Sequence, residues 1–292
     1  METILYIASD ALTLIKGYKK KNKYFVMDTK RYPFQGEGIA SLEDIDQEKL
    51  DNILKQINVE SLCLLLSTKF VQWKIAEIPN LKSEYMIRKL VEQEMDEIVT
   101  SDKKFVYDYR MLKIQDANGL RIMMFAVQED VVNYVIQMSK KYRLKLTRID
   151  IVINSIIKIF EDFFSQSYQS VGLLVAEGKE VNTYLFIDGK FRYFGKNQIR
   201  SEMNSESYAN EIVNYVSQLI QFKRANYRDA ELNKFYFAGV EADNFYKVSN
   251  VLKSLFQIEV GSYDEFHMLD GKGKDIPVEQ WLYQLGSLGE WK

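Results

Sequence analysis

The stretch VGLLVAEGKEVNTYLFIDGKFRYF, residues 171–194, decides the fold. It contains three apolar runs, 171–175, 182–187 and 191–194, and the turn Asp188-Gly189 separates the last two. Short apolar runs joined by tight polar turns predict consecutive β-strands connected as hairpins. The second half of the chain is therefore predicted to open with three strands.

Helical and strand patterns then alternate. A 3.6-residue apolar period predicts a helix over 205–226 and a second helix that carries Phe245, Val248, Leu252 and Leu255. Strands are predicted before and after the second helix, at 235–237 and 257–260. The first part of the chain has the same order: strands at 4–7, 12–15 and 24–27, a helix over 46–57, and a strand at 61–66 without polar alternation, as in a strand covered on both faces. We expect a duplicated α/β unit whose two copies face each other across a cleft.

An extra module separates the two copies. The patterns predict a strand at 70–78, a helix at 83–99, two strands at 105–114 and 120–127, and a helix at 129–142. A β-α-β-β-α segment of this size is expected to form its own subdomain. The predicted division is 1–68 plus 148–170 for the first lobe, 69–147 for the insertion, and 171–292 for the second lobe, with 196–232 as its smaller helical part.

Composition excludes several classes of function. Lys and Arg number 39 against 41 Asp and Glu, so the net charge of −2 gives no positive field for nucleic acid. One Cys and one His exclude a disulfide framework, a Cys/His zinc site and most His-dependent catalysis. No signal peptide is visible and no apolar run approaches the ~20 residues that span a bilayer. We expect a cytoplasmic protein.

Several segments of the insertion and its return resemble one family: Ile78-Pro79-Asn80-Leu81, the acidic helix end 92–96, Tyr107-Asp108-Tyr109, 125–127 and 146–150. They are similar to the PilM proteins of type IV pilus assembly, which belong to the actin-like ATPase superfamily. The resemblance covers nearly the whole chain. It implies an actin-like α/β fold of two ribonuclease-H-like units around a central cleft, with an inserted β-α-β-β-α subdomain.

The resemblance also implies three nucleotide loops, and the first two lack the family's metal-organising carboxylate. In the first loop Tyr6 stands at the carboxylate position and Ala8 at the glycine position, while Asp10 is displaced by four residues. In the second loop Ala176 replaces the carboxylate and Gly178 is retained. Glu177 is one residue too late, and in a strand it points to the opposite face.

The third loop normally offers a glycine pair under the adenosine, and here it is Gly239-Val240, so one glycine is lost. Without the carboxylates a Mg-nucleotide has little to hold it and no means to position a water. We therefore expect no catalytic residue, no nucleotide-binding residue, no metal and no cofactor, and hence a scaffold rather than an enzyme. The alternative is an active Mg-ATP-binding protein in which Asp10 or Glu177 supplies the carboxylate.

PilM-like proteins capture the cytoplasmic N-terminal peptide of the membrane protein PilN and relay contact towards the pilus assembly ATPases. The resemblance thus implies an adaptor at the inner face of the cell membrane, with its working surface around 1–80 and 100–150. Two relatives stay open: the cytoplasmic domain of the type II secretion protein GspL, and a polymerising FtsA-like protein. The closing segment, in which Gly286 fits the family's helix glycine, lacks the basic amphipathic pattern of an FtsA membrane anchor.

Four other features have simple structural interpretations. Cys63 lies inside an apolar strand and is expected to be a buried core thiol. His267 follows a strand with no nearby nucleophile, so a polar loop residue is expected. The acidic residues Glu92, Glu94, Asp96 and Glu97 are expected on a solvated helix face, and the four lysines of 19–23 in a loop between strands.

Overall fold

The computed structural model describes residues 1–8, 11–34, 48, 51–52, 54, 61–99, 102–116, 119–164, 170–202, 205–273 and 275–289. The described chain forms two compact units, the first comprising 1–16 and 29–154 and the second comprising 17–28 and 155–292. Strands β2 and β3, defined below, contribute residues to both units. The predicted three-part division into lobes and insertion stays a prediction.

The strands are β1 (Glu2–Ile7), β2 (Ala11–Lys20), β3 (Lys23–Pro33), β4 (Leu62–Leu66), β5 (Val71–Ile78), β6 (Phe105–Asp116), β7 (Gly119–Gln128), β8 (Leu146–Ile151), β9 (Val171–Glu177), β10 (Glu180–Ile187), β11 (Lys190–Gln198), β12 (Lys234–Ala238), β13 (Glu259–Val260) and β14 (Leu269–Asp270). The helices are α1 (Glu84–Asp96), α2 (Glu129–Lys141), α3 (Val152–Phe164), α4 (Glu206–Asn226), α5 (Ala242–Val251) and α6 (Val278–Ser287). None of the helices in the described ranges is long and apolar enough to cross a membrane.

Two sheets share one strand order, which confirms the predicted duplication. The first sheet runs β14-β3-β2-β1-β4-β8 and the second runs β11-β10-β9-β12-β13. Without β14, each copy follows the order third, second, first, fourth, fifth along its own sequence. The first and fourth strands of each copy are parallel neighbours. Neighbouring parallel strands must be joined by crossover connections. The apolar sequences of these strands are typical of strands whose two faces are both covered by other elements.

The second unit has a continuous apolar core. Strand β10 is buried along its whole length, and α4 contributes Tyr208, Ile212 and Leu219 to the same cluster. Helix α4 begins at an N-cap, Ser205, whose side-chain oxygen accepts from the Tyr208 N–H. Its buried side chains are three to four residues apart, as expected for a helix that covers one sheet face.

The predicted insertion contains a third sheet in the order β5-β7-β6, with antiparallel pairing throughout. Helix α1 covers one face of this sheet with Ile87, Val91 and Met95, which meet Ile122 and Met124 of β7. These three helix residues are spaced by four, so they form a narrow apolar stripe. This sheet and helix lie within the first unit.

The structure corrects some element boundaries. The predicted loop over 19–23 is a two-residue turn between β2 and β3, in which Lys21 adopts a φ of +54°. Helix α5 ends at Val251 and continues as a π-helical turn, Leu252–Phe256, before Gln257 reverses the chain with a φ of +58°. The strand predicted at 257–260 is accordingly shortened to β13. Most of the helix predicted at 46–57 lies outside the described residues.

Candidate functional site

The first loop of the expected nucleotide site follows β1. Tyr6 is 1% exposed and lies opposite Leu65 in the parallel pairing of β1 with β4. Ala8 is also buried, and its N–H donates to the carbonyl of Ala11, the first residue of β2, at 3.0 Å. Tyr6, which the resemblance places at the family's carboxylate position, is therefore a core residue. Asp10 lies outside the described residues.

The second loop is the turn between β9 and β10. Ala176 is buried, and Gly178 adopts a φ of +58°, which suits a residue without a Cβ. Glu177 pairs in register with Glu180 across the hairpin. The Glu177 charge also helps to raise the pKa of the buried Tyr184 and Tyr283 hydroxyls, although burial is the larger cause for both.

The third loop follows β12 and lies directly against the second. Gly239 has a φ of +71°, and a Cβ added there would come within 1.9 Å of the Ala176 carbonyl oxygen. The second and third loops thus contact each other directly, through the main chain at Gly239 and Ala176. Val240 packs on the core cluster of the second unit, which includes Ala176.

A buried polar network lies beside the second loop. The Asn182 side-chain amide donates to the Tyr283 hydroxyl at 3.0 Å, and the Tyr184 hydroxyl lies 3.4 Å from the same oxygen. Tyr283 comes from α6, the closing helix, in which Gly286 packs on α3 so closely that a Cβ would lie 2.1 Å from the Ser155 carbonyl oxygen. Asn182, the polar residue downstream of the second loop, therefore has a hydrogen-bond partner within the protein.

The loop positions that the resemblance assigns to metal-organising carboxylates hold other side chains. Tyr6 and Ala176 stand there, each buried within its own unit, and the branched Val240 stands where the resemblance expects a second glycine. The described ranges also hold no cluster of three His, Cys, Asp or Glu side chains that could ligate a metal. Cys63 is a buried core thiol, as predicted, and His267 is an exposed turn residue.

The first unit carries an apolar groove that the sequence did not reveal. Tyr85 and Met86 of α1 are 69% and 53% exposed, and with Pro79, Leu81 and Leu90 they line a shallow depression of about 650 Å³. Large apolar side chains that point away from the buried stripe of a helix often mark an interaction surface. The sequence contains one sign of this groove. Tyr85 and Met86 are large apolar residues that precede Ile87 and do not fit the four-residue spacing of the buried stripe.

The acidic residues of α1 lie beside this groove, and most of them have partners. Glu92 pairs with Lys89 at 2.9 Å and Glu94 with Lys74 at 2.7 Å. Asp96 accepts a hydrogen bond from the Tyr107 hydroxyl, which, together with the larger effect of burial, raises the pKa of Tyr107 to about 12. This arrangement agrees with a helix face stabilised by local pairs and does not resemble paired catalytic carboxylates.

Comparison with known proteins places the fold. No protein-family model and no curated protein matches the sequence. A solved structure of a Bacteroides thetaiotaomicron protein with an actin-like ATPase fold and unknown function is 10% identical, covers 97% of this chain and 95% of its own, and superposes with a TM-score of 0.58. The cytoplasmic domain of EpsL, an inner membrane component of the Vibrio cholerae type II secretion system, is 10% identical with coverages of 98% and 94% and a TM-score of 0.53.

The chain therefore has the actin-like ATPase fold, as predicted. A third solved structure, described as the PilM-PilN type IV pilus biogenesis complex, gives a TM-score of 0.76 at 12% identity, over 98% of this chain and 96% of that one. The expected resemblance to PilM-like proteins is confirmed at the level of the fold, because the match extends over nearly all of both chains.

Proposed function

We propose that this protein is a cytoplasmic adaptor of a type IV pilus assembly platform, which docks the N-terminal cytoplasmic peptide of a PilN-like membrane protein. The observation that carries this proposal is the end-to-end similarity to a chain of the PilM-PilN type IV pilus biogenesis complex. The adaptor would then associate with the membrane indirectly, through this partner. It would also link the partner to the pilus assembly ATPases.

The docking surface belongs to the first unit. That unit contains β8, which is the outer strand of its sheet, and the apolar groove beside α1. An extended peptide gains affinity from main-chain hydrogen bonds and specificity from side chains placed in apolar pockets. The free energy of docking therefore comes from these contacts and needs no nucleotide hydrolysis.

We further propose that the protein has no ATPase activity. The second and third loops support this proposal. Gly239 lies too close to the Ala176 carbonyl to leave room for even a Cβ, and Val240 packs on the apolar core. A phosphate group that approached these loops would meet no carboxylate at the position of Ala176 to organise its Mg²⁺.

Two titrations test the proposal. Purified protein is titrated with a synthetic peptide that copies the cytoplasmic N-terminus of the PilN-like protein from the same genome, with a scrambled peptide as control. Thermal unfolding is measured in parallel with and without millimolar ATP and Mg²⁺. Saturable binding of the native peptide and an unchanged melting temperature are expected. A Mg²⁺-dependent rise of several degrees would contradict the inactive site, since a ligand that binds only the folded state stabilises it.

The similarity to cyto-EpsL supports a second candidate, a component of a type II secretion system. A gene deletion in the native host separates the two. Loss of surface pili with normal protein secretion is the result expected of the first candidate, and the reverse result favours the second.

A further inference from the structure

The turn that joins β2 to β3 is strongly basic and belongs to the second unit. Residues 17–27, which form this turn and the strand segments beside it, contain no acidic residue and four lysines, Lys19, Lys20, Lys21 and Lys23. We call this segment the basic hairpin. The Lys19 ammonium forms an ion pair with Asp162, so its charge is compensated. The other three lysines determine the charge of the hairpin.

These three lysines keep their positive charge. Lys20 and Lys21 are exposed, and neither forms an ion pair within the described part of the chain. Lys23 is half-buried and donates a hydrogen bond to the His267 carbonyl, a neutral acceptor that does not compensate the charge. Three positive charges therefore lie within four consecutive positions of the chain.

The tip of the hairpin has an unfavourable residue for its backbone. Lys21 adopts a left-handed conformation with a φ of +54°. Glycine and asparagine are favoured there, because most other side chains strain this conformation. The Lys21 side chain is exposed, so packing does not compensate for the strain. Strained positions of this kind often occur where function requires a particular side chain. A cation thus stands at a turn position where backbone stability favours a smaller residue.

One face of the hairpin is apolar and partly open to solvent. Side chains alternate between the two faces of a strand, and in β3 Tyr24 and Val26 are buried on the inner face. On the outer face Phe25 is half-buried and Met27 is 49% exposed. The Phe25 ring stacks on the Tyr18 ring, with centroids 4.9 Å apart and planes within 5° of parallel. The outer face therefore continues from β3 onto β2.

Two of the lysines lie on this outer face. Alternation along β2 puts Lys20 on the same side as Tyr18. Alternation along β3 puts Lys23 on the same side as Phe25. The stacked aromatic pair thus has a lysine next to it on each strand, and Lys21 follows at the tip. Basic, aromatic and exposed apolar side chains share one surface.

Two acidic residues border the hairpin. Asp270 of β14 is exposed and pairs in register with Phe25, which places its carboxylate beside the outer face. Asp28 follows Met27 and points to the opposite face by alternation. The three lysine charges exceed the single charge of Asp270, so the outer face stays positive.

This combination fits the surface of an anionic bilayer. Lysines are attracted to acidic lipid headgroups, and aromatic and apolar side chains are favourable at the boundary between headgroups and acyl chains. A long nucleic acid is a poorer match, because the whole chain has a net charge of −2 and gives no extended positive field. We propose that the basic hairpin contacts anionic phospholipid headgroups through Lys20, Lys21 and Lys23.

The contact is a weak one. Each lysine close to an anionic leaflet strengthens adsorption by about fivefold. Three lysines are too few to anchor a protein, and stable attachment takes a second signal. The hairpin would therefore add to the indirect association through a membrane partner and would not replace it. It would also turn one edge of the second unit towards the lipid.

The proposal is tested by sedimentation of the full chain with extruded vesicles. One set contains equal parts of phosphatidylcholine and phosphatidylglycerol, and the other contains phosphatidylcholine alone. Each is measured at about 50 mM and about 500 mM sodium chloride, because salt screens exposed charges. The variant is Lys20→Glu/Lys21→Glu. The control is Lys103→Glu/Lys104→Glu, an adjacent pair of exposed lysines in the first unit, which changes the net charge by the same amount.

Binding is expected with the anionic vesicles at low salt, at least tenfold weaker binding at high salt, and no binding to phosphatidylcholine alone. The partition coefficient should fall at least tenfold in the hairpin variant and stay within twofold in the control. No binding to anionic vesicles, equal binding to both vesicle types, or an equal loss in the two variants would overturn the proposal. Lys20→Gln, with an expected loss of about fivefold, gives the same test if the double variant does not fold. The assay contains no PilN-like peptide, so its outcome is independent of the proposed docking.

Discussion

Gly239 lies against the main-chain carbonyl of Ala176, so closely that an added Cβ would be 1.9 Å from that oxygen. The contact follows from the parallel pairing of β12 with β9, in which Ala238 lies opposite Val175. The one glycine kept in the third loop thus has a packing role that is independent of any ligand. Its presence is not evidence for a nucleotide site.

Gly239→Ala is expected to destabilise the protein by about 3 kcal/mol, because the new methyl group meets backbone and the residue must hold a positive φ. Gly271→Ala is a matched control. Gly271 has a φ of +72°, but its added Cβ would be 3.4 Å from Phe25, an ordinary contact, so only the backbone strain of about 1 kcal/mol applies. Urea unfolding measures the free energy of unfolding of both variants. Equal decreases in the two would show that the contact with Ala176 does not contribute to stability.

The tyrosine network beside the second loop makes a separate prediction. Tyr283→Phe removes the hydroxyl that accepts from the Asn182 amide, so a buried donor loses this acceptor, and a cost of about 1–3 kcal/mol is expected. Tyr263→Phe is the control, because the buried Tyr263 hydroxyl has no hydrogen-bond partner among the residues that the structure describes. Its removal should leave the free energy of unfolding unchanged or raise it. If thermal unfolding ranks the two variants in the reverse order, the network does not stabilise the fold.

Much of the fold could be predicted from the sequence, since strands such as β4 are uniformly apolar and α4 has a clear helical period. The short strands could not. Strand β14 has two residues, and its pairing with Tyr24 and Phe25 depends on a partner more than 240 positions away. The turn after β9 could be predicted from the sequence, but the packing of Val240 on the core could not, because it depends on residues distant in the chain.

Acid should weaken the start of α4 through Glu211. Its carboxylate accepts from the Ser201 hydroxyl and from the N–H groups of Arg200 and Ser201, both at 2.9 Å, and these bonds lower the pKa of Glu211. A lowered folded-state pKa contributes stability above glutamate's ordinary pKa. That contribution is lost as pH falls through the folded-state value, because the unfolded chain takes up the proton first.

Glu211→Gln is therefore expected to lower the urea midpoint at pH 7, and the gap from the parent protein should close as pH falls below about 4. Glu202→Gln, at an exposed position on the same connection, should follow the parent protein at every pH. A gap between the parent protein and Glu211→Gln that stays constant from pH 7 to pH 3 would mean that the neutral contacts, and not the charge, hold this segment.

The proposed docking surface makes the last prediction, and the chain offers a closely matched pair of exposed tyrosines. Tyr85 borders the groove of the first unit and is 69% exposed, while Tyr246 lies on α5 of the second unit and is 70% exposed. Neither is a core residue, so Tyr85→Ala and Tyr246→Ala should both fold with little change in melting temperature. Only the first removes an aromatic side chain from a groove where such side chains often dominate binding.

The Kd for the PilN-like peptide should rise about tenfold or more in Tyr85→Ala, a loss of roughly 1.4 kcal/mol or more, and should be unchanged in Tyr246→Ala. Titration calorimetry with the same peptide measures both. Met86→Ser, the adjacent exposed position, should weaken binding in the same direction. If the peptide binds the parent protein and all three variants equally well, the groove beside α1 is not the docking surface, and another part of the protein must carry the contact.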